Sequence, residues 1–441
     1  MKNFITIYPG IKEKFKKVVV TTVDSTRFSF LNFNNITYFA TKEKSKQAIT
    51  SKLKLLFLTS RFPYPLEKGD KLRAFELIKH LSAANEIILF AVNDSDVSEE
   101  QLAQLKPYCK FIYWEKISKL NSYLNLTKNF LGYLPFSVAY FLRKTVCFGI
   151  QDIIKEHQPD HIFCHLIRMS EYVKDVKHIP KTLDYMDTFS IGMGRMKSTA
   201  NWFMQSFIKM EHQRLLRYEE VIFDDFENKI IISEQDQLHI PHKNNKEITV
   251  VPNGVDFDFF YPQQREKKYD LLFAGNMNYP PNIESVLFIA NEILPLLRKQ
   301  KPDIKFLIAG ATPAKEILQL QSATIEVTGW VDDIRTCFYE SRIMLAPMLI
   351  SIGLQNKILQ AMAMKTPCIV SSLANNAIHA THQKEVLIAD TPEDYVKHIQ
   401  YLLDNVSASV DLGENAFRFA KSNYDWKDIV AQLNNLMTTS K

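Results

Sequence analysis

Between Arg342 and Ser372 the chain reads RIMLAPMLISIGLQNKILQAMAMKTPCIVSS, and the order of its apolar residues permits few architectures. Ile343 to Ala346 is a short apolar run with the character of a buried strand, and Pro347 breaks it. After a loop ending at Gly353, residues Leu354, Ile358, Leu359, Met362 and Ala363 recur at helical spacing. Pro367 then opens a second apolar strand, Cys368 to Val370, closed by Ser371 and Ser372. Strand, loop, helix and strand in this order make one unit of a parallel α/β sheet.

The junction of loop and helix carries the chemistry. A helix start presents unpaired N–H groups and a partial positive charge, which suit an anion. Gly353 admits a close backbone approach, Lys357 one turn on adds a full charge, and Gln355, Asn356 and Gln360 add neutral hydrogen-bonding groups. That set can grip a diphosphate and a sugar, and it can equally be an ordinary cap with a solvated face.

The same alternation extends over most of the chain. At 441 residues it exceeds one ordinary core, so two domains are expected. Residues 1–52 suit either a couple of strands or a docked extension. The first domain, 53–256, opens with strand Leu53 to Thr59, a loop carrying Gly69, a helix burying Leu72, Phe75, Leu77, Ile78 and Leu81, and strand Glu86 to Val92. Lys116 to His157 reads as helices, followed by strands His161 to His165 and Thr182 to Tyr185, a long helix from Asn201 to about Glu220, and strands Lys229 to Ile232 and Ile248 to Val251. The polar, turn-rich residues 257–268 read as a linker. The second domain, 269–424, has six predicted strands: Leu271 to Ala274, Ile304 to Ala309, Thr324 to Val327, Ile343 to Ala346, Cys368 to Val370 and Val386 to Ala389. Two α/β halves facing a cleft are the expected architecture, with residues 425–441 as a terminal helix returning to the first.

Composition narrows the function. Hydrophobic residues at 46% and charged residues at 23% describe a globular protein, and a net charge of +5 falls short of a nucleic-acid footprint. The five cysteines show no paired metal spacing and fit a reduced compartment. No apolar run reaches the roughly 20 residues of a membrane-spanning helix, and MKNFITIYPG lacks a signal-peptide core, so a cytoplasmic protein is expected. The aromatic, lysine-bearing run from Lys116 to Lys144 suits either packing on the first domain or peripheral contact with the inner, anionic face of a membrane.

Five stretches occur in register: SRFPYPLEKGDKLRAFELIKHL, VVPNGVD, FAGNMNYPPN, VTGWVDDIR and GLQNKILQAMAM. Together, over roughly residues 53 to 438, they resemble the retaining GT-B glycosyltransferases of family four. More narrowly they are similar to the sugar transferases associated with exosortase and exopolysaccharide loci. The resemblance implies two Rossmann-like parallel-sheet domains, a nucleotide-diphosphate sugar as donor substrate, a saccharide or lipid-linked acceptor, retention of configuration, and neither metal nor cofactor. It places Gly69 near the donor phosphates, Gly275, Asn276 and Met277 on the phosphate side of the second domain, and Trp330 and Val331 beside the base. Gly353, Leu354, Gln355 and Asn356 fall in the donor-binding turn. Lys357 faces the diphosphate and Gln360 the ribose. Members of that family carry two glutamates in this stretch; Ile352 and Gln360 stand at the matching positions.

In the first domain Asp184 and Asp187, in TLDYMDTFS, end a strand, and either can take an acceptor proton; Asp187 is the chosen base, with Lys357 as the catalytic cation. His165 ends another strand and suits a sugar contact or a structural role. A non-catalytic sugar-nucleotide-binding scaffold and a nucleotide-sugar epimerase of the same fold are the rival readings.

Overall fold

The computed structural model describes residues 16–19, 30–33, 36–40, 52–196, 202–350 and 353–439. They group into two units, residues 1–251 with 430–441, and residues 252–429.

The first unit contains β1 (Lys16–Val19), β2 (Phe30–Phe33), β3 (Ile36–Ala40), β4 (Leu53–Thr59), β5 (Asn85–Asn93), β6 (Phe111–Lys116), β7 (His161–His165), β8 (Lys181–Asp184), β9 (Asn228–Ile231) and β10 (Thr249–Val250). The sheet order is β10-β9-β8-β7-β4-β5-β6-β3, with β3 antiparallel to β6 and the other pairings parallel. β4 is central because nearly all of LKLLFLT is apolar and buried, as parallel strands covered on both faces require. Phe57 on β4 stacks on Phe163 of β7 with ring centroids 4.6 Å apart. From β4 the chain winds outward through β5 and β6, then returns to the other side of β4 for β7 to β10. The switch point of the sheet therefore lies between β4 and β7.

β6 was not anticipated. FIYWEK is too short and too aromatic to show a period, and its strand state comes from its neighbours: β5 pairs on one edge and β3 on the other. The expected helices after it are present at Lys119–Lys128, Phe136–Ala139 and Lys144–His157. Of residues 1–52, β1 and β2 form an antiparallel pair and β3 joins the main sheet.

The second unit contains β11 (Tyr269–Ala274), β12 (Phe306–Ala309), β13 (Ile325–Val327), β14 (Ser341–Ala346), β15 (Cys368–Val370) and β16 (Leu387–Ile388), all parallel in the order β13-β12-β11-β14-β15-β16. Its switch point lies between β11 and β14. Residues 257–268, read from sequence as the linker, pack on this unit: the Tyr339 hydroxyl donates to the Tyr261 carbonyl at 2.9 Å, and Lys267 Nζ to the Ser341 carbonyl at 2.8 Å. The PNGVD turn is closed by the YDW segment. Val255 N–H donates to the Tyr424 carbonyl at 2.7 Å, and a Cβ on Gly254 would lie 2.9 Å from Trp426. The last helix, Trp426–Thr439, passes into the first unit, where Asn85 donates to Asn434 at 2.8 Å.

Candidate functional site

Ligands of open parallel sheets bind beyond the carboxyl ends of the strands at a switch point. In the second domain, all four glycines of positive φ among the described residues follow such ends: Gly275 after β11, Gly310 after β12, Gly329 after β13 and Gly353 after β14. At two of them the backbone requires glycine. A Cβ on Gly310 (φ +142°) would stand 1.7 Å from the Gly275 carbonyl oxygen, and one on Gly275 (φ +154°) would stand 2.8 Å from Asn282 Nδ2. Here two backbones touch, leaving no room for side chains.

Lys357 points into the same place. It lies in the first turn of helix Asn356–Ala363, buried, with Nζ donating to Asn282 Oδ1 at 2.6 Å and standing 4.1 Å from the Phe273 ring centroid. A Cβ on Gly275 would lie 3.6 Å from that Nζ. No carboxylate pairs with the ammonium among the described residues, and burial alone pulls its pKa down to about 7. Asn282 is held in turn by its Nδ2–H donating to the Asn276 carbonyl at 2.9 Å. The result is a cation one loop away from a glycine cradle and at a helix start, an arrangement whose chemistry suits an anion.

The other residues singled out from sequence fall into two groups. Asn276 belongs to the cradle, but its Oδ1 is occupied by Asn278 N–H and Thr312 Oγ1–H, both at 2.9 Å. Gln355 is buried and donates to the Gly353 carbonyl at 3.1 Å, closing the turn that Gly353 (φ +70°) opens. Asn356 Oδ1 faces Asn253 Nδ2 at 3.4 Å. Gln360, one turn after Lys357, is half-buried, and its amide has no hydrogen-bond partner among the described residues. Met277, by contrast, is wholly buried in the core, so only its backbone can face a ligand; its N–H and C=O are bound to Ala311 and Ala314. Leu354 and Val331 are half-buried against that core, while Trp330 is 63% exposed on the loop after β13. Ile352 lies outside the described residues. Sequence reading missed Gly310 and Asn282. Glycine directly after the apolar run FLIA was the signal for the first; the second lay in a PPN run with nothing to single it out.

The first-domain switch point is built from charges. Asp184 at the end of β8 is fully buried and takes Arg73 Nε at 2.8 Å, Arg73 Nη2 at 3.2 Å, His165 Nδ1 at 3.0 Å and Met186 N–H at 3.0 Å. Burial would raise its pKa, but Arg73 and then His165 hold it down to about 2. The other ring nitrogen of His165 lies 3.1 Å from the Asp70 carbonyl. Asp184 and His165 are therefore consumed by structure. Asp187 is different: the protein mass crowding its carboxyl, and then Asp236, push its pKa up to about 7, although the residue is exposed at the surface. A carboxylate poised near neutrality and reachable from outside suits a general base. Between the two aspartates Met186 adopts φ +65°, rare for a long side chain, and its methyl would lie 3.4 Å from a Cβ on Gly69, the first residue of helix Gly69–Leu81. Gly69 thus stands in this domain's cluster.

Residues 268–405 match the sequence profile of the family described as glycosyl transferases group 1. An uncharacterized 44.6 kDa protein in the cps region of Klebsiella pneumoniae is 23% identical over 402 residues, covering 86% of this chain and 98% of that protein. Among solved structures, sucrose-phosphate synthase from Thermosynechococcus elongatus superposes with a TM-score of 0.63 at 15% identity, over 88% of this chain and 98% of that one. Anabaena HepE in complex with UDP gives 0.63 at 13% identity, over 88% and 100%. A TarM variant of S. aureus, in complex with fondaparinux, alpha-GlcNAc-glycerol and UDP, gives 0.60 at 11% identity, over 87% and 100%. The two Rossmann-like parallel sheets share the GT-B fold of these structures, and residues 268–405 match the sequence profile of the glycosyl transferases of group 1.

Proposed function

We propose that the protein moves a sugar from a nucleotide-diphosphate sugar to a saccharide or lipid-linked acceptor, with retention and without a metal ion. The observation that carries this reading is Lys357: a buried ammonium lacking a carboxylate partner, at a helix start and beside the Gly275 cradle. In this mechanism the bond from the anomeric carbon to the diphosphate breaks through an oxocarbenium-like transition state, and Lys357 with the helix N–H groups stabilises the leaving diphosphate. The acceptor hydroxyl bonds to the anomeric carbon and gives its proton to Asp187. UDP in HepE, and UDP-glucose in another complex of the same protein, support a uridine nucleotide as the first donor to try.

The test is transfer and donor hydrolysis over a panel of UDP, GDP and ADP sugars, in the parent, Lys357→Ala and Lys365→Ala. Lys365 is the matched control because its ammonium already pairs with Glu414 at 2.5 Å. Turnover lost with Lys357→Ala and kept with Lys365→Ala is expected. Gln360, standing where the family places a glutamate, supports a second reading as a non-catalytic sugar-nucleotide scaffold; nucleotide binding with no turnover across the panel would establish it.

We also propose peripheral membrane contact for the loop and helix around residues 119–133. Leu120, Tyr123, Phe130 and Tyr133 are largely exposed and Leu131 is 95% exposed, beside Lys119 and Lys128. The loop is anchored in position: Arg214 donates to the carbonyls of Asn129, Leu134 and Phe130 at 3.0, 3.2 and 2.5 Å. A fixed apolar face rimmed by lysines suits an anionic lipid surface. No helix among the described residues is long and apolar enough to cross a membrane. Flotation with anionic vesicles at low salt is the check, and a protein left at the bottom of the gradient ends the idea.

A further inference from the structure

Arg61, in the loop after β4, and Arg168, in the turn after β7, flank one carboxylate at the switch point of the first domain. Arg61 Nη1 meets Asp70 Oδ2 at 2.5 Å, whereas Arg168 Nη1 is 4.0 Å from the same oxygen, beyond hydrogen-bond reach. The Arg168 side chain is 18% exposed, and its guanidinium rests over the rings of Phe189 and Phe141, 4.9 and 5.4 Å from their centroids. Its Nε is buried without a partner, and none of its donors makes a hydrogen bond among the described residues. A guanidinium offers five N–H donors, and buried ones are ordinarily satisfied.

The charges around it are accounted for. Asp70 alone does not neutralise both arginines, and Asp184 is already bound by Arg73 and His165. Asp187 acts on Arg168 electrostatically without bonding to it. Burial, with Arg61 adding to it, lowers the Arg168 pKa to about 10, so it stays charged at neutral pH.

We infer that Arg168 and Arg61 bind a phosphate group carried by the acceptor, the bare donors of Arg168 forming the fork and Arg61 exchanging part of its bond to Asp70 for the ligand. The inference rests on the proposal above that Asp187, in this same first domain, takes the acceptor proton. Arginine suits it because its planar fork matches an oxyanion. A residue that served only to pack on Phe141 and Phe189 would have no need to keep those donors bare.

The probe is inorganic phosphate, titrated calorimetrically into the full-length Lys357→Ala chain, in which the second-domain cation is gone. Binding should persist there, weaken at least tenfold when Arg168→Gln is added, and weaken less with Arg168→Lys, which keeps the charge without the fork. Arg61→Gln, at a more exposed position, gives the same reading if Arg168→Gln impairs folding. Glucuronate is titrated in parallel. Phosphate affinity unchanged by Arg168→Gln and Arg61→Gln, phosphate binding already abolished by Lys357→Ala, or glucuronate bound in preference to phosphate would each overturn the inference. The readout separates it from the transfer reaction: Arg168-dependent phosphate binding with no sugar transfer from any donor removes the transfer reading and leaves the site. Transfer with Arg168-independent phosphate binding does the reverse.

Discussion

At the first-domain switch point Asp184 sits inside a set of bonds from Arg73, His165 and Met186 N–H, and nearly every charge has an answer within reach. At the second-domain switch point one lysine stands beside bare backbone, its only polar partners among the described residues the neutral Asn282 oxygen and, at 3.8 Å, the Met348 sulfur. Both lie where a parallel sheet reverses its winding, so topology accounts for their location but not their chemistry. The contrast is between charge used to hold side chains in place and charge kept unneutralised for something else. A buried pair resists removal of either member, whereas a buried lone cation is a cost that an anion relieves.

The largest expected effect tests the first half. Asp184→Asn leaves Arg73 buried against an amide and should lower stability by about 3–5 kcal/mol in urea unfolding. The pH dependence has a definite sign: with a folded pKa of about 2 against 3.8 in the unfolded chain, the Asp184 contribution is complete above the unfolded value and is lost as pH falls through about 2. A parent-like midpoint for Asp184→Asn would mean that this network holds nothing.

Gly310→Ala probes the backbone contact in the second domain. A methyl 1.7 Å from the Gly275 oxygen, on a residue at φ +142°, should cost roughly 2–5 kcal/mol from overpacking and strain together. Parent-like thermal unfolding would show that the two backbones are free to separate.

Lys357→Ala tests the second half and should behave unlike Asp184→Asn. Nucleoside diphosphate binding should weaken by about 1.5–3 kcal/mol, with Lys365→Ala unchanged. Between about pH 7 and 10.5 the unfolded chain holds the Lys357 proton and the folded one does not, so this group makes stability rise with pH in that window, opposite in origin to Asp184. A bound diphosphate restores the proton. Calorimetry at pH 8 in buffers of different ionisation heat should register proton uptake in the parent and none in Lys357→Ala; equal uptake in both would place the anion elsewhere.

The smallest effect sharpens the same site. If Gln360 faces the ribose, Gln360→Glu should tighten the nucleotide by about 1 kcal/mol, because an ionised acceptor makes the stronger bond to a hydroxyl. Affinities of Gln360→Glu and Gln360→Ala that both match the parent would turn this helix face away from the donor.

Strand and helix placement was legible along most of the chain because the signals are local. β4, β7 and β15 carry apolar runs whose ends are marked by prolines, glycines or caps, and Ser233, just after β9, caps its helix by accepting Asp236 N–H at 3.1 Å. Lys357 was legible for the same reason, in the first turn of a helix that follows a glycine loop. What the sequence could not express is whatever depends on residues far apart in the chain. FIYWEK becomes β6 only because β5 and β3 pair with it. Asp184 and Asp187, three positions apart, have opposite fates because Arg73 and His165 converge on one and not the other. Arg168 looks like any loop arginine until the fold sets it over Phe141 and Phe189 with its donors bare. Periodicity and capping act within a few residues and so can be read from order alone; burial, pairing and pKa are sums over neighbours in space, and only the folded chain supplies those neighbours.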